Sequence, residues 1–323
     1  MDRLAESKGL FLSNNITTVH SNYATTTLFT VMTAIIFGST VFGNIMSLFV
    51  IYKTSSLWDN SGILLGNMAV ADLIVGLICM PTAFISMCIQ RSYLAPILCV
   101  ITGYINTVVI GTSLQTLAFI CVDRCISVLK PLHYHMYVTN NVLRLMLVIS
   151  WVFPSVVSII PLLGLQQYGL GKYCFVNYLS TCWLDVIQVQ QNRVFLLMIY
   201  SLVVIILTCI VICCVLILLV IHKLRNTVAD ICTSSIHARA VSKSTVTLML
   251  IVGVFILCLM PAVVVTFITC LTNVQFHVTI YQMAICLTYL NSAINPILYG
   301  FSSQDFRNSY YTLWKRHFRL YRF

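Results

Sequence analysis

Charge is what this sequence has least of. Asp, Glu, Lys and Arg together make up 8% of its 323 residues, while 59% are hydrophobic. A soluble domain carries about 25% charged residues. This chain cannot cover a water-facing surface, so a soluble globular protein is excluded. Acids are the scarcer sign, with 8 Asp and Glu against 18 Lys and Arg. A seven-helix transporter or ion pump needs a membrane-embedded chain of acids or an internal repeat, and neither is present. An enzyme needs paired carboxylates, an HExxH pair or a Ser/His set within the apolar runs, and these too are missing. Fourteen cysteines occur, but no CxxC pair and no His/Cys cluster at zinc spacing. Most of them, such as Cys209, Cys213, Cys214, Cys258 and Cys286, lie in apolar runs and read as small hydrophobes. The first 27 residues are mostly polar and hold no long apolar core, so no secretory leader is expected.

What the chain has instead is seven long apolar stretches, near 28–52, 63–89, 97–127, 142–165, 194–221, 244–271 and 278–301. Each is long enough for the roughly 20 helical residues that cross about 30 Å of hydrocarbon. The runs are continuous rather than alternating, which points to helices and not a barrel. The expected fold is an all-α membrane protein, a seven-transmembrane helix bundle over 28–301. Residues 1–27 form a short extracellular N-terminus and 302–323 a cytoplasmic tail. In that tail Phe306, Tyr310, Leu313 and Trp314 recur at helical spacing among Arg307, Lys315 and Arg316, which predicts a short amphipathic eighth helix on the membrane surface.

Basic residues set the orientation. Lys53, Arg124, Lys130, Arg144, Lys223, Arg225, Arg239, Lys243 and the basic tail fall on one side, with only Arg3, Lys8, Arg91, Lys172 and Arg193 on the other. The positive-inside rule then places the N-terminus outside the cell, in a multi-pass plasma-membrane protein. Asn15, in "NIT", becomes a candidate glycosylation site on that face. The net charge of +10 reads as topology and attraction to anionic lipid rather than nucleic-acid binding.

A charge at the bilayer centre costs about 2.5–3.5 kcal/mol on insertion scales, so such residues face the bundle interior. Asp72 is the only acid well inside a span, and Asn44, Ser113, Asn291, Ser292 and Asn295 lie in nearby spans. One carboxylate with hydroxyl and amide oxygens suits sodium. It suits equally a hydrogen-bond network that joins helices. Pro154, Pro161, Pro261 and Pro296 predict kinked helices. Cys99 and Cys182 are the preferred extracellular disulfide, with Cys174 as the competing partner.

These residues resemble the rhodopsin-like (class A) G-protein-coupled receptors, over nearly the whole chain. Asn44 matches the first-helix "GN", "MAVADL" places Asp72, and Asp123-Arg124-Cys125 stands for "DRY". Trp151 matches the fourth-helix tryptophan, "CLMP" (Cys258 to Pro261) stands for "CWxP", and "NPILY" (Asn295 to Tyr299) is "NPxxY". The resemblance implies an extracellular small-molecule sensor that activates a heterotrimeric G protein through Asp123, Arg124 and Tyr299. It implies an allosteric sodium ion at Asp72, Ser113, Asn291 and Asn295. The likeness is to amine, trace-amine, melatonin and opsin branches, with a chemosensory receptor, trace-amine or odorant-like, as the alternative.

Departures from the pattern bear on both ends. Leu259 replaces the sixth-helix tryptophan, Ile206 a fifth-helix proline, Cys214 a fifth-helix tyrosine and Cys125 the tyrosine of "DRY". No acid stands near the start of the sixth helix, where Val241 and Lys243 fall, so an ion pair from there to Arg124 is not expected. Alignment gives a ligand pocket lined by Asn106, Thr107, Ile110, Ala262, Val263, Thr266, Ile285 and Tyr289. Asn106 sits where amine receptors place an aspartate, and a neutral amide cannot supply that ion pair. Tyr289 sits where opsins carry the retinal lysine, and the seventh span has no lysine, so a retinal Schiff base is excluded. A small neutral or amphipathic ligand is expected, with no cofactor.

Overall fold

The computed structural model describes residues 23–89, 95–186, 188–228, 235–302, 306–308 and 311. Seven long helices follow one another in chain order: α1 Tyr23–Lys53, α2 Asn60–Ile89, α3 Pro96–Leu129, α4 Asn140–Ser158, α5 Val189–Val228, α6 Ser235–Thr272 and α7 Val278–Ser302. Helices α1 to α6 are long and apolar enough to cross a membrane. In α7 the apolar run is interrupted by Asn291, Ser292 and Asn295, and those residues are buried. Large apolar side chains such as Phe42, Ile205, Leu219 and Leu257 point outward. In a bundle of this composition that outer face is the one lipid covers.

The helices run past the hydropathic spans at several ends. Helix α5 starts at Val189 and reaches Val228, and α6 starts at Ser235. Hydropathy marks only the part that needs lipid, whereas backbone hydrogen bonding continues a helix into polar sequence. Helix α4 is shorter than its apolar run: it ends at Ser158, and a tighter turn over Ile160–Leu163 carries the chain on through Pro161. Of the expected eighth helix, 306–308 are helical. Tyr310, Leu313, Trp314 and most of the tail lie outside the described residues, as does Asn15.

Helix α3 is the hub. It packs on α2, α4 and α5, while α7 packs between α1 and α6. Two close approaches depend on glycine. A Cβ on Gly43 of α1 would meet Pro296 Cγ of α7 at 2.9 Å, and one on Gly111 of α3 would meet Pro154 Cβ of α4 at 2.8 Å. Helix α2 contains one wide turn, Val75–Cys79, directly after Asp72. Such turns break the regular ladder and re-aim the side chains beyond them. Between α4 and α5 the strands β1 Tyr173–Val176 and β2 Thr181–Leu184 form an antiparallel hairpin, with Phe175 opposite Cys182. A disulfide joins Cys182 to Cys99 near the start of α3 and holds this hairpin over the bundle mouth. Cys174, the competing partner, is a free thiol opposite Trp183.

Candidate functional site

The polar residues of the interior fall into three groups along the bundle. At the outer end, below the hairpin, is a cavity of about 150 Å³. Asn106, Thr107 and Ile110 enter it from α3, Ala262, Val263 and Thr266 from α6, and Ile285 and Tyr289 from α7. The residues aligned to the ligand pocket therefore share one space. Sequence reading missed Trp183 and Val186 from the hairpin side, and Gln115 from α3. Trp183 and Val186 lie between helices and carry no helical period, so nothing in the sequence pattern marked them. Leu259 and Ile206 also line the cavity, which makes aliphatic the places where the family pattern has tryptophan and proline. No Asp, Glu, Lys, Arg or His lines it among the described residues.

The cavity walls leave several polar atoms unsatisfied. The Tyr289 hydroxyl lies against Thr181 and Asn106. Yet that hydroxyl, Thr181 Oγ1, Asn106 Oδ1 and Gln115 Oε1 are buried without a hydrogen bond of good geometry. A buried donor or acceptor left unmade costs about 1–3 kcal/mol. Tyr173, on the other strand of the hairpin, is satisfied. The Tyr173 hydroxyl donates to the Ser158 carbonyl at 3.1 Å, and burial pushes its phenol up to about 12. A Cβ on Gly103 would stand 2.9 Å from the Tyr173 ring, so glycine is what lets the hairpin sit on α3.

The middle group surrounds Asp72. Its Oδ2 accepts from Asn295 Nδ2 at 2.8 Å, and Ser292 is its second hydrogen-bond neighbour. Asp72 Oδ1 and Asn291 Oδ1 are buried without a partner. Asn44 Nδ2 donates to the carbonyls of Thr40 and Ser292, tying α1 to α7. Ser113 is buried on α3. Unsatisfied oxygens beside one carboxylate form a donor set that fits a hard cation. Trp151 belongs to a separate structural network. Its Nε1 donates to Asn67 Oδ1 at 2.8 Å, and Asn67 Nδ2 donates to Thr116 Oγ1 at 2.8 Å, linking α2, α3 and α4.

The inner group is a clasp near the C-terminal end of α3. Asp123 is buried, and Arg124 Nε approaches its Oδ2 at 3.6 Å. Ser61 Oγ donates to the same oxygen at 2.8 Å, and Tyr134 OH donates to Oδ1 at 2.6 Å. Asn60 Nδ2 in turn donates to Tyr134 OH at 3.0 Å. The Tyr134 phenol is pushed up to about 12, first by burial and then by its bond to the Asp123 carboxylate. Arg124 also reaches α2: its Nη2 lies 3.4 Å from Asp59 Oδ2. Sequence reading found Asp123 and Arg124 but missed Asp59, Asn60, Ser61 and Tyr134. Tyr299, aligned to the coupling tyrosine, is buried on α7 and packs against Phe306 at 5.7 Å between ring centres. Cys214 contacts Cys121, and Cys125 contacts Cys213, so thiols of α3 and α5 meet where the family pattern has tyrosines.

A seven-helix bundle with a capped outer cavity and an Asp-Arg clasp at its inner end is the architecture of a membrane receptor. The pattern described as "7 transmembrane receptor (rhodopsin family)" matches residues 43–299, and the chain belongs to that family. It is a G-protein-coupled receptor of the membrane, not an enzyme. It is similar to trace amine-associated receptor 365 of Petromyzon marinus, with 26% identity covering 85% of this chain and 76% of that one. It is 26% identical to somatostatin receptor type 1 of Rattus norvegicus, over 83% of this chain and 66% of the relative. Against adenosine receptor A2b of Gallus gallus identity is 23%, over 89% and 88%. The fold superposes on squid rhodopsin with a TM-score of 0.78 at 19% identity, covering 88% of this chain and 84% of that one.

Proposed function

We propose that this receptor binds a small, uncharged, largely apolar molecule from the extracellular side and passes the signal to a heterotrimeric G protein inside. The observation that carries the reading is the uncharged lining of the outer cavity. A monoamine would bury its ammonium there with no carboxylate to meet it, a desolvation that aliphatic walls do not offset. The orphan atoms at Asn106, Thr181 and Tyr289 offer a neutral ligand one polar edge to bind. The aliphatic surface of Leu259, Ile206 and Ile110 receives the rest. Tyr289 on α7 cannot form a Schiff base, so binding is non-covalent. Arg124, held near Asp123 at rest, is the residue that the G protein engages, with Tyr299 beside the route it opens. Asp72, Asn291, Asn295 and Ser113 hold a sodium ion that favours the resting packing.

The test is expression with a panel of chimeric Gα subunits, recording ligand-free and ligand-driven nucleotide exchange. Neutral indoles, nucleosides and lipid-like molecules should act where charged monoamines fail. Full signalling by Arg124→Ala with every Gα sinks the coupling role. For the ion, ligand affinity is measured against sodium concentration in the intact receptor and in Asp72→Asn. An identical, flat response in both removes the sodium site.

A further inference from the structure

We propose that Asp59, the residue that caps α2, positions Arg124 in the resting receptor and takes the place of the acid that α6 lacks. The proposal rests on the reading of Arg124 as the G-protein-coupling residue. Its basis is how one carboxylate is shared. Asp59 Oδ1 accepts from the Gly62 backbone N–H at 2.8 Å, the N-cap of α2. Its other oxygen, Oδ2, faces Arg124 Nη2 at 3.4 Å. Most exposed ion pairs are weak because two long side chains must both be ordered. Here the cap has already ordered one of them. The turn that aims it is tight: a Cβ on Gly62 would fall 1.9 Å from the Leu57 carbonyl oxygen.

Asp123 alone does not hold the guanidinium well. Its two oxygens already accept from Ser61 and Tyr134, and Arg124 meets it only through Nε at 3.6 Å. Arg124 therefore bridges two carboxylates, one from its own helix and one from α2. Swinging it toward a G protein breaks the second contact. Asp59 thus acts as a positioning residue that lowers ligand-free exchange.

The Asp59 side chain is 56% exposed and that of Arg124 29%, so the effect is modest and screened by salt. The experiment measures ligand-free nucleotide exchange by the full chain in lipid nanodiscs, on a Gα to which it couples, at low and high KCl. Asparagine caps a helix as well as aspartate does, so Asp59→Asn removes the charge and keeps α2. We expect Asp59→Asn to raise basal exchange about two- to five-fold at low salt, with an unchanged thermal midpoint. Wild type should climb toward that level as KCl rises, while Asp59→Asn stays flat. Asp59→Ala should raise exchange equally and also lower the midpoint, because the cap is lost. Exchange by Asp59→Asn at or below wild type, with Arg124→Ala silent, overturns the role of Asp59 and leaves the coupling reading intact. Full exchange by Arg124→Ala overturns both.

Discussion

The cavity and the Asp123 clasp differ in how their polar side chains are bonded. At the C-terminal end of α3 both oxygens of Asp123 are occupied, by Ser61, Tyr134 and Arg124, and Tyr134 is itself held by Asn60. At the hairpin end Asn106, Thr181, Gln115 and Tyr289 each keep a buried polar atom without a hydrogen bond of good geometry. A satisfied network rigidifies one arrangement, and an unpaired buried polar group carries a cost that a partner would relieve. The clasp is closed on itself, while the cavity keeps unmet polar atoms that the proposed ligand would engage. In the function proposed, ligand binding adds bonds at the cavity and signalling loosens the clasp. The receptor stores its resting state where its polar atoms are paired.

The largest effect that tests this contrast concerns what holds the outer end open. With its walls under-bonded, the cavity depends on the hairpin that the Cys99–Cys182 bridge fixes across 83 residues of chain. Cys182→Ser should cost about 2–5 kcal/mol of stability. Its signature is loss of ligand binding and a lower thermal midpoint, with the inner clasp unaltered in any fold that survives. Unchanged ligand affinity in Cys182→Ser would show that the outer end closes without the bridge.

Next comes the inner end. Tyr134→Phe removes a 2.6 Å hydrogen bond to a buried carboxylate, a loss of about 1.5–3 kcal/mol for a bond to a charged group. Thermal midpoint should fall and ligand-free exchange should rise. The pH dependence follows from the phenol. Its folded value is raised to about 12 from 10.0, so the neutral form is favoured on folding. Its stabilisation is fully present below about pH 10 and is lost as pH climbs toward 12. The difference between wild type and Tyr134→Phe should stay constant from pH 6 to pH 9, then shrink in alkali, as denaturation midpoints across that series would read. A difference that already changes near neutrality would mean that another group carries the clasp.

These two ends were not equally legible in the sequence. The seven helices follow from apolar length alone, and Asp72, Asp123 and Arg124 stood out as charges within or against those runs. The cavity residues of α3, α6 and α7 came from alignment to the receptor family, whose motifs anchor each helix. The partners in the clasp did not come. Tyr134 returns to Asp123 through a short helix, Tyr134–Tyr137, after the turn at Pro131–His133. Asp59 reaches Arg124 only because the chain turns tightly before α2. No periodicity encodes such fold-backs. Thr181 was hidden for the same reason, since it sits opposite Val176 in a hairpin that no helical period marks.

Charge offers a sharper probe of the outer end. Asn106→Asp puts a carboxylate in a cavity whose described lining holds no ionisable group but tyrosine. A charge-assisted hydrogen bond is worth about 1.5–3 kcal/mol. Affinity for a simple arylethylamine should therefore rise about 10- to 100-fold, while affinity for a neutral ligand falls. Competition binding with both ligand types reads the exchange. Equal affinities in the two proteins would place the ligand away from Asn106.

The smallest effect is the most discriminating. Removing a buried polar atom that has a partner costs stability, but removing one that has none is neutral or stabilising. Tyr289→Phe deletes a hydroxyl that lies against Thr181 and Asn106 but makes no hydrogen bond of good geometry. The ligand-free thermal midpoint should be unchanged or slightly higher, within about 1 kcal/mol of wild type. Ligand affinity should nonetheless fall, because the guest loses the group that completes it. Tyr134→Phe, the same chemical change at the inner end, should do the reverse, lowering the ligand-free midpoint and sparing intrinsic ligand contacts. Two identical substitutions with opposite profiles would establish that one end of the bundle is built to be filled and the other to be opened. A drop in ligand-free stability from Tyr289→Phe as large as that from Tyr134→Phe would erase the distinction, because it would mean that the outer hydroxyl already has its partner.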